Sequence, residues 1–112
     1  MENAGEFIRG HTDTIILSIL NHRDSYGYEI SKTVSKVSGG EFIITEATFY
    51  NAFKRLVLEN KIIFYWIDGE NGYRRKYYSI TEYGKEILHE SRLIWNKSRV
   101  ILDNLIGGQN EE

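Results

Sequence analysis

The chain has 112 residues, with 14 Lys and Arg against 16 Asp and Glu, 41% apolar residues, and neither cysteine nor proline. These numbers fit one small folded domain and exclude a disordered chain, disulfides and thiolate chemistry. No apolar run approaches the ~18 residues of a membrane span, and the stretch MENAGEFIRGHTD lacks the basic and apolar regions of a signal peptide, so a cytoplasmic protein is expected.

FIRGHTDTIILSIL carries Ile15, Ile16, Ile19 and Leu20 at the spacing of one helix face. A polar break over 21–24 follows. DSYGYEISKTVSKVSGG predicts a second helix, with Asp24 or Ser25 as its cap and Tyr28, Ile30, Val34 and Val37 in its pattern; Gly39 and Gly40 end it. TEATFYNAFKRLVLEN predicts a third helix with Thr45 as N-cap and Glu46 in its first turn. Its buried stripe is predicted to be Phe49, Phe53, Leu56 and Val57. At 100° per residue Thr48, Asn51, Ala52 and Arg55 fall opposite, bordered by Tyr50 and Lys54.

KIIFYWI and YRRKYYSI are β-branched and aromatic and flank the turn DGENG, so 61–80 predicts a hairpin. Thr81 caps a last helix over about 82–106. Along it Ile87, Ile94 and Ile101 recur every seven residues, as do Leu88, Trp95 and Leu102, with Ser91, Ser98 and Leu105 beside them. So wide an apolar stripe at the end of a small domain predicts pairing with a second copy. GGQNEE is expected to be a disordered tail.

Charge is unevenly spread. Residues 1–43 and 81–112 each hold four bases and six acids, whereas residues 44–80 hold six bases and four acids. A locally basic face on an acidic protein suits a polyanionic partner. Three helices followed by a hairpin is the winged helix-turn-helix arrangement, so the fold class expected is mainly α with a small β-hairpin. A DNA-binding unit is expected over 1–80 and a dimerisation helix over 81–106. In such a unit, wing cations contact phosphates while the hairpin tip lies along the minor groove.

YGYEI (26–30), EATFYNAFKRL (46–56), RRKYYSIT (74–81) and EYGKE (82–86), in this order, resemble the PadR family of bacterial transcriptional regulators. The resemblance runs from residue 10 to residue 106. The chain is most similar to the short, multidrug-sensing subgroup, which it matches at Trp95 and in the spacing from SGGE (38–41) through the wing. The resemblance implies a homodimer held by the last and first helices, and a recognition helix over 46–58. It implies repression of an operator, often that of the regulator itself or of an efflux gene. It also implies a pore between subunits where a planar aromatic effector stacks on Trp95. Lining residues would be Ser18, Leu88, Ser91, Arg92 and Arg99; Ile87, Ile94, Ile101, Leu102 and Leu105 would close the dimer. Asn51 departs from the family pattern, and Arg92 and Arg99 depart from that of the multidrug subgroup. Asn51 stands where many members have proline, Arg92 replaces an aromatic residue, and Arg99 replaces an acid. Two arginines facing the pore would repel cationic drugs and favour neutral or anionic aromatics.

Each candidate has a plainer reading. Arg74, Arg75 and Lys76 are either wing contacts to DNA or the solvated edge that protects a hairpin from aggregation. Thr48, Tyr50, Asn51, Lys54 and Arg55 are either a DNA-reading face or an ordinary polar helix face. Lys32 is either a phosphate contact or solvated. Trp95 is an interface anchor, a ligand platform, or both. His11, His22 and His89 lack metal spacing, and no P-loop, nucleophile elbow or GxGxxG appears, so no metal, cofactor or catalytic site is expected. The rival to an operator-binding repressor is a protein-interaction module on the same surface.

Overall fold

The structure, a computed structural model, describes residues 4–108. The first predicted helix is two helices, α1 (Ala4–Arg9) and α2 (Thr12–His22). They part at Gly10–His11, where the His11 amide donates to the Ile8 carbonyl at 2.8 Å. The Thr12 hydroxyl donates to the Arg9 carbonyl at 2.7 Å and fixes the joint. Burial falls on Ile16, Leu17 and Leu20 of α2, with Ile15 and Ile19 packed at the margin.

Next comes a short strand, β1 (Ser25–Tyr26), where the sequence placed a helix cap. Helix α3 (Gly27–Val37) therefore starts later, with Tyr26 as its N-cap residue and no capping side chain. The Ser25 hydroxyl instead donates to Glu29 Oε1 at 2.6 Å. Ile30 and Val34 are buried, while Tyr28 and Val37 are 67% and 81% exposed, outside the core in which their pattern had placed them. Gly39 and Gly40 close α3 at φ +63° and +79°, a region that costs other L-residues steric energy. The Gly40 amide reaches back to the Ser35 carbonyl at 2.7 Å.

Helix α4 (Glu46–Leu58) keeps its predicted limits. Thr45 caps it, its hydroxyl accepting from the Thr48 amide at 3.3 Å. Its buried set is Phe49, Ala52, Phe53 and Leu56, with Val57 only partly covered. Ala52 was expected on the outer face and is fully buried. The reason is that α4 packs against both α2 and the hairpin, so its covered stripe is wider than one wall would need.

Strands β2 (Ile62–Asp68) and β3 (Arg74–Ile80) form the hairpin, in register from Ile62 opposite Ile80 to Asp68 opposite Arg74. A 3₁₀ turn over Glu70–Gly72 joins them. β1 pairs antiparallel with β3, giving a three-stranded sheet in the order β1-β3-β2. One face lies on α4: Tyr78 stacks on Phe53 at 4.2 Å between ring centres, and Phe53 on Phe49 at 5.8 Å.

Helix α5 (Glu82–Ile106) follows after Thr81, as the sequence predicts. The Thr81 hydroxyl accepts from the Gly84 amide at 2.9 Å and donates to the Asn60 carbonyl at 2.7 Å. The start of the helix is thereby tied to the end of α4. Leu88 is buried in the common core with Ile16, Leu17, Leu20, Leu56 and Ile62. It belongs to the core rather than to a pore. Beyond it one face of α5 is left uncovered by the rest of the chain. Leu93, Ile94, Val100, Ile101, Leu102, Leu105 and Ile106 are all exposed. Gly107 ends the helix, and residues 109–112 of the expected tail lie outside the described residues. Among the described residues, no helix is long and apolar enough to cross a membrane.

Candidate nucleic-acid interface

An open cleft of about 690 Å³ lies between the start of α3, the outer face of α4 and β3. Its floor is aromatic, formed by Phe49, Phe53 and Tyr78. Tyr50 and Asn51 of α4 stand at one wall, Arg75 and Lys76 of the hairpin at another, and Tyr26 and Tyr28 at the third. Four residues singled out in the sequence thus meet at one site, although 24 positions separate Asn51 from Arg75. The fold achieves this through the Phe53–Tyr78 stack, which holds the sheet against α4.

The cations are positioned on aromatic faces. The Lys76 ammonium lies 4.1 Å from the Phe64 ring centre, the Arg75 guanidinium 4.5 Å from Tyr26, and the Arg74 guanidinium 5.0 Å from Trp66. A cation held over a ring keeps its charge and is not neutralised by the contact, so it can still attract an anion. Arg74 also meets Asp68 across the hairpin at 3.2 Å. Both partners are well exposed, so this pair is weak and a phosphate can displace it. On the helices, Lys54 stands 6.0 Å over Tyr50 and Lys32 5.4 Å over Tyr28. Lys32 therefore borders the cleft through Tyr28. Thr48 is drawn into the cap, its hydroxyl accepting from the Thr45 hydroxyl at 2.9 Å.

Arg55 is not part of this cluster. Its Nε donates to Asp13 Oδ2 at 2.9 Å and its Nη2 to Asp13 Oδ1 at 2.5 Å, so it faces α2. That hydrogen-bonded carboxylate raises the pKa of the guanidinium further above its ordinary value. Tyr28 was missed as a site residue because its spacing matched the buried face of α3. The signal that could have found it is the tyrosine pair in YGYEI, too polar for a fully buried stripe.

Two tyrosines of the sheet have raised pKa values for different reasons. The Tyr65 hydroxyl donates to Asp24 Oδ2 at 2.6 Å, which, with some desolvation, pushes it up to about 12. Tyr78 is raised mainly by burial. Both are therefore neutral hydroxyls in any ordinary buffer.

At the other end of the molecule, Trp95 is 46% exposed and meets the His11 ring edge-on at 5.8 Å. The Arg92 Nη2 donates to the Ser18 hydroxyl at 3.0 Å, which brings two of the predicted pore residues together within one chain. Ser91 is half-buried, whereas Arg99 is exposed. Among the described residues, no three His, Cys, Asp or Glu side chains come together as a metal site.

Residues 16–90 match the model of the PadR-like family of transcriptional regulators. The chain belongs to the PadR family. A transcriptional regulator from Clostridium thermocellum superposes with a TM-score of 0.82 at 39% identity, over 90% of this chain and 98% of that one. A PadR family regulator from Clostridium difficile gives 0.76 at 36% identity, over 87% and 99%. An uncharacterised protein of Lysinibacillus sphaericus is 42% identical over 103 residues, which is 92% of this chain and 94% of that one. Membership makes the protein a DNA-binding transcriptional regulator and not an enzyme. The PadR fold is the winged helix with a long C-terminal helix described above.

Proposed function

We propose that the protein is a homodimeric operator-binding repressor of its own gene or of an efflux or detoxification gene. Helix α4 enters the major groove with Tyr50, Asn51 and Lys54 outward, and Thr48 at its first turn. Arg74, Arg75 and Lys76 of the wing, with Lys32 of α3, hold the flanking backbone. The observation that carries this reading is the common cleft shared by Tyr50 and Asn51 of α4 with Arg75 and Lys76 of β3. Asn51 has the amide that pairs with an adenine edge, where proline would have none.

The second copy joins through the exposed half of α5, and the two Trp95 rings meet near the dimer centre. A planar neutral or anionic aromatic effector fits there better than a cation, because Arg92 and Arg99 are close in sequence on the same helix. Such an effector induces only if it binds the subunit spacing that cannot hold the operator better than the spacing that can.

The test is binding to a labelled duplex from the DNA upstream of the protein's own gene, beside a random duplex, across a salt series. Sequence-preferring binding with a steep salt dependence is expected. Arg74→Ala with Arg75→Ala should reduce the log–log salt slope by roughly two units, about one per lost phosphate contact. Equal, weak binding to both duplexes would count against the operator reading.

A further inference from the structure

The sequence places Arg55 on the outer face of the recognition helix, beside residues that suit DNA contact. We propose instead that Arg55 is a positioning residue, which acts through Asp13 to set the angle of α4 against α2 and makes no phosphate contact. This rests on the reading of α4 as the recognition helix.

Three observations carry it. The Arg55–Asp13 pair is a two-bond fork, at 2.9 and 2.5 Å, between residues 42 positions apart. A planar guanidinium bound at two points resists rotation in a way that one hydrogen bond does not. Arg55 also lies in the last turn of α4, beyond the residues that line the cleft. Finally, α2 is held from the other side as well, since its Ser18 accepts from Arg92 of α5 at 3.0 Å. α2 thus carries a polar tie to the recognition helix and another to the C-terminal helix, with Ile16, Leu17 and Leu20 buried between them. The pair is partly exposed, at 49% and 33% of the two side chains, so its coupling energy is modest, though the two-point geometry keeps it above zero. What it contributes is direction, because DNA reading depends on the angle at which Tyr50 and Asn51 are presented.

The two readings of Arg55 predict opposite signs for Asp13→Ala. If Arg55 bound phosphate, removing Asp13 would release a cation and delete a nearby negative charge, and affinity for DNA would rise. If Arg55 positions α4, affinity falls. The experiment measures fluorescence anisotropy of the upstream duplex with the wild type, Asp13→Ala, Arg55→Ala and the exchange Asp13→Arg with Arg55→Asp, each across a salt series. Each single substitution is expected to weaken binding about ten-fold with the salt slope unchanged, and the exchange to recover part of the loss. Binding by Asp13→Ala as tight as wild type, or tighter, would overturn the proposal. So would a slope lowered by about one unit in Arg55→Ala. A double-mutant cycle on thermal unfolding reads the same pair without DNA, and additive single effects there would also overturn the clamp. A wild type with no preference for the upstream duplex would instead refute the operator reading, leaving the clamp to be judged by the unfolding cycle.

Discussion

Gly84 shows how one missing side chain holds the two halves of the protein together. A Cβ there would collide with the Lys61 carbonyl oxygen and lie 2.8 Å from Ile80 Cγ1. The first turn of α5 thus rests directly on backbone at the base of the hairpin, and backbone cannot move aside as a flexible side chain can. Gly84→Ala is expected to destabilise the protein by about 1–3 kcal/mol despite the better helix propensity of alanine. Chemical denaturation would measure it, and an unchanged midpoint would refute the close approach. Tyr65 makes a second prediction at this scale. Its hydrogen bond to Asp24 stabilises the neutral phenol and pushes its pKa up to about 12. The unfolded value is near 10, so the folded state holds the proton more tightly. That contribution is complete below about pH 10 and is lost as pH rises from about 10 through about 12. Stability curves should therefore fall more steeply in this window for the wild type than for Tyr65→Phe; parallel curves would show that the bond has no such effect.

The elements differ in how much of them is local, and that decides which were legible from sequence. α4 and α5 were read to their limits because each start is signalled by a threonine whose hydroxyl accepts an amide three residues on, Thr45 from Thr48 and Thr81 from Gly84. Thr45→Ala should cost about 1 kcal/mol, the usual worth of an N-cap, which thermal unfolding would detect. A loss below a few tenths would mean that tertiary contacts alone hold the start of α4. The hairpin was equally plain from its β-branched runs about a glycine turn. β1 was not, because two residues carry no periodicity and its pairing is entirely non-local: Ser25 lies opposite Tyr78, and Tyr26 opposite Tyr77. The same reason hid the Arg55–Asp13 fork, and with it the true face of Arg55. A helical wheel assumes one buried wall. α4 has two, which is why Ala52 went inside, while Tyr28 was lost from the core to the cleft. The four-residue cluster Tyr50, Asn51, Arg75 and Lys76 was legible by residue type, but its convergence needed the sheet to dock on α4.

At the scale of the whole molecule, the shape is too extended for a self-sufficient domain. Its radius of gyration is 16.5 Å, against about 13 Å expected for a compact chain of this length, and its extents are 64 × 29 × 21 Å. The excess is the far half of α5, which carries Ile94, Ile101, Leu102 and Leu105 into solvent. Of the residues predicted to close a dimer, only Ile87 is drawn against the chain's own core. So much exposed apolar surface on one projecting helix is costly in water and is the mark of an interface. The twofold pairing proposed above would satisfy it with one patch, and would set two copies of α4 at a fixed spacing along one face of a duplex. Ile94→Glu with Leu105→Glu should therefore yield a folded monomer by sedimentation, with the circular dichroism of its helices largely retained. Its operator affinity should fall by two orders of magnitude or more, since each half-site must then be bound without the effective concentration that linkage supplies. A variant that stays dimeric would move the interface off this face of α5. A monomer that binds the operator as tightly as the wild type would show that one recognition helix and one wing are enough.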